Sequence, residues 1–311
     1  TADAPEADDL IALAREARDT RARDLDNFIH ADRRDVRIFE YADGLSFACY
    51  GLTPERRLLL ESVYGMLTLK NGVPIGYVLA SGLFGSSEVM YNVFDTFRGG
   101  ESARIYGRVL SMARILFGAD TFAIDPFQLG HANPEGQKSG AFWFYYKLGF
   151  RPVAPKALAL VGEELRRLAA NPGERTSPRM LHRLAAEYMF LHAGRPRADV
   201  LGQVPLGNVG LRISRLLAAR GGADRERAVR ECSREAARTL GVRSFGAWTP
   251  GERLAWDRWS PSVIALGDAG GWPAAGRGTA RGGRPRPRAR RSRSKCRRRA
   301  GRTGSCACDR G

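Results

Sequence analysis

Residues 141–150, which read AFWFYYKLGF, carry the strongest chemical signal in this chain. Six of the seven residues from Phe142 to Leu148 are aromatic or apolar, and this predicts a helix that is buried over most of its circumference. Tyr145 and Tyr146 bring phenol hydroxyls into that helix, and buried hydroxyls need hydrogen-bond partners. The partner of Tyr145 is either a bound ligand or a backbone carbonyl in the core.

A second segment with possible chemistry is the loop RGGES at residues 98–102. A helix is predicted to follow it, because four apolar residues recur at helical spacing on one face, namely Ile105, Val109, Met112 and Leu116. The first turn of a helix presents free N–H groups and the positive end of the helix dipole, which together bind anions. Such a helix start is able to hold an anion. In the alternative interpretation the loop only turns the chain, and Glu101 interacts with the dipole.

The surrounding pattern predicts an α+β fold, with a mixed sheet and flanking helices. Asn71-Gly72 lies between two apolar runs, and this dipeptide favours a type I′ turn joining a hairpin. The predicted strands are 36–41, 45–52, 64–70, 73–81, 88–95 and 121–125, with a last strand that begins at Phe150. Helices are predicted after the glycine loop and over the aromatic segment.

Residues 45–155 resemble the GNAT superfamily of acyl-CoA-dependent N-acyltransferases in the order of elements and in two motifs. The first family motif is Gln or Arg, two residues, Gly, one residue, then Gly or Ala; Arg98 and Ala103 match it, and Glu101 replaces the central glycine. The second is Ala, three residues, Tyr, one residue, Lys, one residue, Gly-Phe. It is matched in full by Ala141, Tyr145, Lys147, Gly149 and Phe150. The family usually has an asparagine three residues before that alanine; here the position is Lys138, and Asn133 lies five residues earlier.

The resemblance implies that acetyl-CoA, or another acyl-CoA, lies between two splayed strands. The residues implied to bind it are Arg98, Gly99, Gly100, Ser102, Ala103, Asn92 and Phe94. The backbone of residues 98–103 is implied to hold its pyrophosphate. Tyr145 would protonate the departing thiolate. Asp125 or Glu88 would be the general base, although an aspartate at a strand end is also a common turn former.

The chain is predicted to divide into an N-terminal helix over residues 1–35, a GNAT-like domain over 36–155, a helical domain over 156–272 and a basic tail over 273–311. One helix of the third part is predicted over 178–192. The net charge of +17 is mostly in the tail, since residues 273–311 contain fourteen Arg or Lys and one acid. Such a tail is disordered by composition and could contact nucleic acid. An out-of-frame reading of a GC-rich gene would give the same mixture of residues.

The apolar runs, cysteines and histidines of the chain exclude some classes of function. No apolar run is long enough for a membrane span, and two isolated body cysteines, Cys49 and Cys232, favour a reducing, cytoplasmic location. The four histidines lack the spacing of metal ligands, so no metal is predicted. The resemblance implies an acyltransferase that acts on a small-molecule or protein amine. The alternative is a non-catalytic scaffold or binding module whose tail contacts nucleic acid.

Overall fold

The computed structural model describes residues 1–19, 26–97 and 99–267, and its first half is an antiparallel meander. The strands are β1 (Ala31–Glu40), β2 (Leu45–Leu52), β3 (Ser62–Lys70), β4 (Val73–Leu83) and β5 (Ser86–Val93). Asn71 and Gly72 have φ angles of 49° and 79° between β3 and β4. These are the positive values that a type I′ turn requires, so the predicted hairpin is confirmed.

Three further strands complete a sheet of eight strands in the described residues. They are β6 (Thr121–Ile124), β7 (Arg151–Pro152) and β8 (Met189–His192), and the spatial order is β1-β2-β3-β4-β5-β6-β8-β7. The β5–β6 pair is parallel, while the other neighbours are antiparallel. The fold is therefore α+β with a mixed sheet, as the sequence predicted.

The prediction of a single helix over residues 178–192 is wrong for residues 189–192, which form a strand. A helix covers only Pro178–Leu184, and residues 189–192 form β8, which inserts between β6 and β7. A four-residue apolar run has no periodicity that distinguishes a strand from the end of a helix. Its conformation is set by the hydrogen bonds that two distant strands offer. One strand of the sheet thus lies within residues 156–272, the range for which the sequence predicts a helical domain.

Helices cover both faces of the sheet. They are α1 (Ala4–Asp19), α2 (Asp26–Ile29), α3 (Ser102–Phe117), α4 (Pro126–Leu129), α5 (Pro134–Ser139), α6 (Ala141–Lys147), α7 (Pro155–Ala170), α8 (Pro178–Leu184), α9 (Leu206–Gly221), α10 (Arg225–Leu240) and α11 (Pro250–Ala265). The α1 side holds a smaller core around Tyr50, whose hydroxyl donates to the Leu10 carbonyl at 2.9 Å. The α3 side holds the main core, to which α3 and α6 contribute.

The last three helices pack on one another through Leu217, Cys232, Leu240 and Trp256. Arg258 of α11 reaches the loop after β2, where its guanidinium donates to the Pro54 carbonyl at 2.7 Å and to the Glu55 carbonyl. Among the described residues, none of the helices combines the length and apolar character that crossing a bilayer would need. The basic tail lies outside the described residues.

Candidate functional site

The central feature of the site is that β5 and β6 pair over only three residues. The pairs are Ser86 with Thr121, Ser87 with Phe122, and Glu88 with Ala123. Beyond Glu88, β5 continues to Val93 while β6 ends at Ile124. The edge of β5 that faces β6 is therefore not paired with β6 over residues 89–92, which leaves backbone groups that a bound molecule can pair with.

A cleft of about 570 Å³ opens beside this part of β5. Its walls come from β4 and β5, from the glycine loop with the start of α3, and from α4 to α6. The lining residues are Tyr77, Tyr91, Asn92, Val93, Gly99, Gly100, Ser102, Ala103, Phe127, Gln128, Asn133, Glu135, Gly136, Ser139, Ala141, Phe144 and Tyr145. Tyr91 packs with the core on the α3 side and Tyr77 with the core on the α1 side. The cleft therefore reaches both faces of the sheet.

The start of α3 forms one wall, and four predicted coenzyme-binding residues lie there: Gly99, Gly100, Ser102 and Ala103. The backbone N–H groups of Ala103 and of the next residue, Arg104, donate to no acceptor within the described part of the chain. Free N–H groups at this end of a long helix favour an anion in the adjacent cleft. Arg98, the fifth residue predicted at this loop, lies outside the described residues.

Glu101, which departs from the family motif, does not line the cleft. Its carboxylate pairs with Arg104 at 2.8 Å and with Lys70 at 3.6 Å. The hydrogen bond from Arg104, together with the charge of Lys70, holds the pKa of Glu101 below its usual value. Two cations thus offset the negative charge that the sequence places next to the predicted phosphate site.

Tyr145 lies on α6 against the opposite wall, and only 3% of the residue is exposed. It lines the cleft, and none of the described groups forms a hydrogen bond with its hydroxyl. Burial, with a smaller contribution from the charge of Tyr91, raises the pKa of Tyr145 above its ordinary value. The phenol therefore keeps its proton at neutral pH and can donate it in a hydrogen bond.

Glu88 lies at the last paired position before the strands separate. Its neighbour Val89 belongs to the core on the α3 side, so Glu88 points toward the α1 side. Burial, with smaller contributions from the charges of Asp125 and Glu61, raises the pKa of Glu88 to about 7, while a hydrogen bond from Tyr188 opposes the shift. Of the predicted acidic residues, Glu88 has the pKa that a general base at neutral pH needs.

Tyr188 was missed by the sequence reasoning. Its hydroxyl lies 3.4 Å from Oε2 of Glu88, although the two residues are 100 positions apart. Burial and the charge of Glu88 raise the pKa of Tyr188, so it remains a donor. No local pattern connects these residues, because they meet only when residues 189–192 join the sheet.

Asp125 and Asn133 have clear structural roles. The Asp125 carboxylate caps α4 by accepting the Phe127 N–H at 2.7 Å, and Asp125 does not line the cleft. Asn133 lines the cleft, but its amide is occupied, since it accepts from the Gly136 N–H at 3.1 Å and donates to the Phe127 carbonyl at 2.9 Å. Both side chains hold the α4–α5 wall in place.

The two remaining predicted residues lie in different surroundings. Asn92 lines the cleft, and its Oδ1 atom is buried without a hydrogen-bond partner in the described structure. Phe94 is 3% exposed, packs near the Tyr77 ring and is not a lining residue. Phe94 therefore packs behind the wall of the cleft and does not form its surface.

No family model matches the chain, and a search of curated proteins likewise gave no match. The chemistry of the cleft and its neighbours is therefore what indicates the activity of this protein.

Proposed function

We propose that this protein is an acyl-CoA-dependent N-acyltransferase of the GNAT type, which moves an acyl group, acetyl being the simplest, to an amine. The observation that carries the proposal is the separation of β5 from β6 next to a helix N-terminus on one side and Tyr145 on the other. The volume of the cleft, about 570 Å³, falls within the range of roughly 300–1,000 Å³ that is usual for ligand pockets.

The proposed binding mode uses the groups that the cleft offers. The pyrophosphate of the coenzyme would accept hydrogen bonds from the free amides at the start of α3. The pantetheine arm would run along the open edge of β5, where its amides can pair with the strand backbone. The thioester would then lie close to Tyr145, and the amine would approach from the α1 side of the sheet.

In the proposed reaction, Glu88 removes a proton from the amine, directly or through water, while the nitrogen lone pair forms a bond to the thioester carbon. The carbonyl π electrons move to oxygen and then return as the C–S bond breaks, with its electron pair going to sulfur. The sulfur takes the proton of Tyr145 and leaves as a thiol. The products are an amide and free coenzyme A, with the acyl group transferred in a single direct attack.

The first test is a thermal melt of the full chain with and without millimolar acetyl-CoA. A ligand that binds only the folded state at 100 times its Kd adds about 2.7 kcal/mol of stability, so the melting temperature should rise by several degrees. ADP at the same concentration controls for general nucleotide binding and should give a smaller shift. An unchanged melting temperature with acetyl-CoA would contradict the proposal.

A further inference from the structure

Tyr91 is a second phenol in the cleft. It lies on β5 beyond the last β5–β6 pair, it lines the cleft, and its hydroxyl is buried without a hydrogen-bond partner in the described structure. Burying a hydroxyl without a partner costs stability, and most buried hydroxyls in folded proteins are satisfied. Because Tyr91 lines the cleft, a molecule that enters the cleft is the nearest candidate for the missing partner.

Tyr91 and Tyr145 belong to one cluster of rings. The Tyr106 ring lies between them, with its centroid 5.4 Å from each of theirs. Burial also raises the pKa of Tyr91 above its ordinary value. Both groups therefore stay protonated, and both can donate to an atom that gains negative charge.

A single phenol is poorly placed to lose its proton in these surroundings. Once Tyr145 gives its proton to the leaving sulfur, a phenolate remains among aromatic rings, and a buried anion without a donor is strongly disfavoured. A nearby second donor lets the C–S bond break before that proton has moved, because it stabilises negative charge on the sulfur. The hydroxyl of Tyr91 is the unpartnered donor on the β5 side of the cleft.

We propose that Tyr91 is a second catalytic residue, which donates a hydrogen bond to the departing coenzyme A sulfur alongside Tyr145. This inference rests on the proposed transferase function. As the C–S bond breaks, its electron pair goes to sulfur, which is held by the O–H groups of Tyr91 and Tyr145. The Tyr145 proton then passes to sulfur to form the thiol, and Tyr145 regains a proton from solvent after the coenzyme leaves. Tyr91 keeps its own proton throughout.

The test needs no knowledge of the amine, because free coenzyme A carries the same sulfur. Coenzyme A is bound to the wild-type chain and to Tyr91→Phe, Tyr145→Phe and the double variant. The pKa of its bound thiol is then followed by the ultraviolet absorbance of the thiolate. Each donor lowers that pKa, so each single variant should raise it by roughly one unit and the double variant by more.

Tyr106→Phe is the matched control. Tyr106 is a fully buried phenol in the same ring cluster whose hydroxyl is also unpartnered in the described structure, but it does not line the cleft. Its variant should leave the thiol pKa at the wild-type value. If Tyr91→Phe behaves like Tyr106→Phe while Tyr145→Phe shifts the pKa, the role of Tyr91 is overturned and the transferase proposal stands. If calorimetry detects no binding of coenzyme A to the wild-type chain, both fail together.

Stability distinguishes this role from a structural one. Replacing a buried hydroxyl that has no partner with hydrogen removes a desolvation cost without creating a cavity. Tyr91→Phe should therefore melt at or above the wild-type temperature while its bound thiol is harder to ionise. A Tyr91→Phe chain that is clearly less stable would show that the hydroxyl serves the fold, and this too would overturn the inference.

Discussion

At the residue scale, Glu88 makes the stability of the protein depend on pH. Its pKa in the folded chain is about 7, above the ordinary value of 4.5 for a glutamate. Between these two values the folded state holds a proton that the unfolded state has released. Unfolding therefore becomes easier as pH rises from about 4.5 to 7, and the cost persists above pH 7. The charged form that a general base requires is thus the form that the fold disfavours.

Replacing Glu88 with Gln should change both stability and rate. Urea unfolding of Glu88→Gln should show a smaller loss of free energy between pH 5 and pH 8 than the wild type, because the titrating group is gone. Turnover at pH 8 should fall by roughly 10²–10⁴-fold, which is the usual contribution of a general base. An unchanged rate together with the altered pH dependence of stability would exclude Glu88 as the base.

Tyr188→Phe is the companion experiment to Glu88→Gln. The hydrogen bond from Tyr188 lowers the pKa of Glu88, so its removal should move the rising limb of the pH–rate profile to higher pH. The maximum rate should change little, because the carboxylate itself remains. If the rising limb of the pH–rate profile stays at the same pH, a group other than Glu88 determines it.

The residues of the site differ in how far the sequence could predict them. Tyr145 was predicted from a motif of ten residues, and it does line the cleft. The pairing of Glu101 with Lys70 and the contact between Tyr188 and Glu88 were not predicted. Each of these joins residues that are far apart in the chain. The electrostatic environment of a carboxylate depends on such distant neighbours, and a local pattern does not contain them.

At the element scale, the first turn of α3 is the part of the site that a single charge can test. Ala103 is exposed and lines the cleft. An acidic residue in the first turn favours the helix itself by about 0.3–1 kcal/mol, yet it would repel a bound pyrophosphate. Ala103→Glu should therefore keep or raise the melting temperature of the free protein and lose the increase produced by acetyl-CoA.

Ala103→Gln is the neutral control for this experiment, since glutamine has nearly the same shape as glutamate. It should retain most of the acetyl-CoA shift. Equal shifts in the two variants would mean that the phosphates bind elsewhere. The comparison isolates charge from size, because both side chains extend from the same exposed position of the helix.

The secondary elements were predictable where short-range chemistry decides them. Asn71-Gly72 fixed the β3–β4 hairpin, and Gly118 ends α3 in a left-handed conformation with φ of 65°. The separation of β5 from β6 could not be seen in either strand alone. It follows from the different lengths of two strands that α3 connects, so it is a property of their pairing.

At the scale of the whole molecule, Arg258 joins the last helices to the meander. Its guanidinium donates to backbone carbonyls of the loop after β2. Arg258→Met keeps much of the aliphatic stem and removes the donors, so it should lower the free energy of unfolding by about 1–3 kcal/mol. Urea denaturation would measure this loss. Arg212→Met on the exposed surface of α9 is the control and should have little effect.

Strand β8 determines how short a working version of this protein can be. It pairs with β6 on one side and with β7 on the other. A chain cut after residue 155 would lose β8, which pairs with β6. The edge of β6 would then be exposed, and an exposed strand edge is a template for intermolecular β-pairing. The smallest autonomous unit therefore extends at least to His192. Shorter fragments should precipitate or form oligomers, even though they contain every residue that lines the cleft.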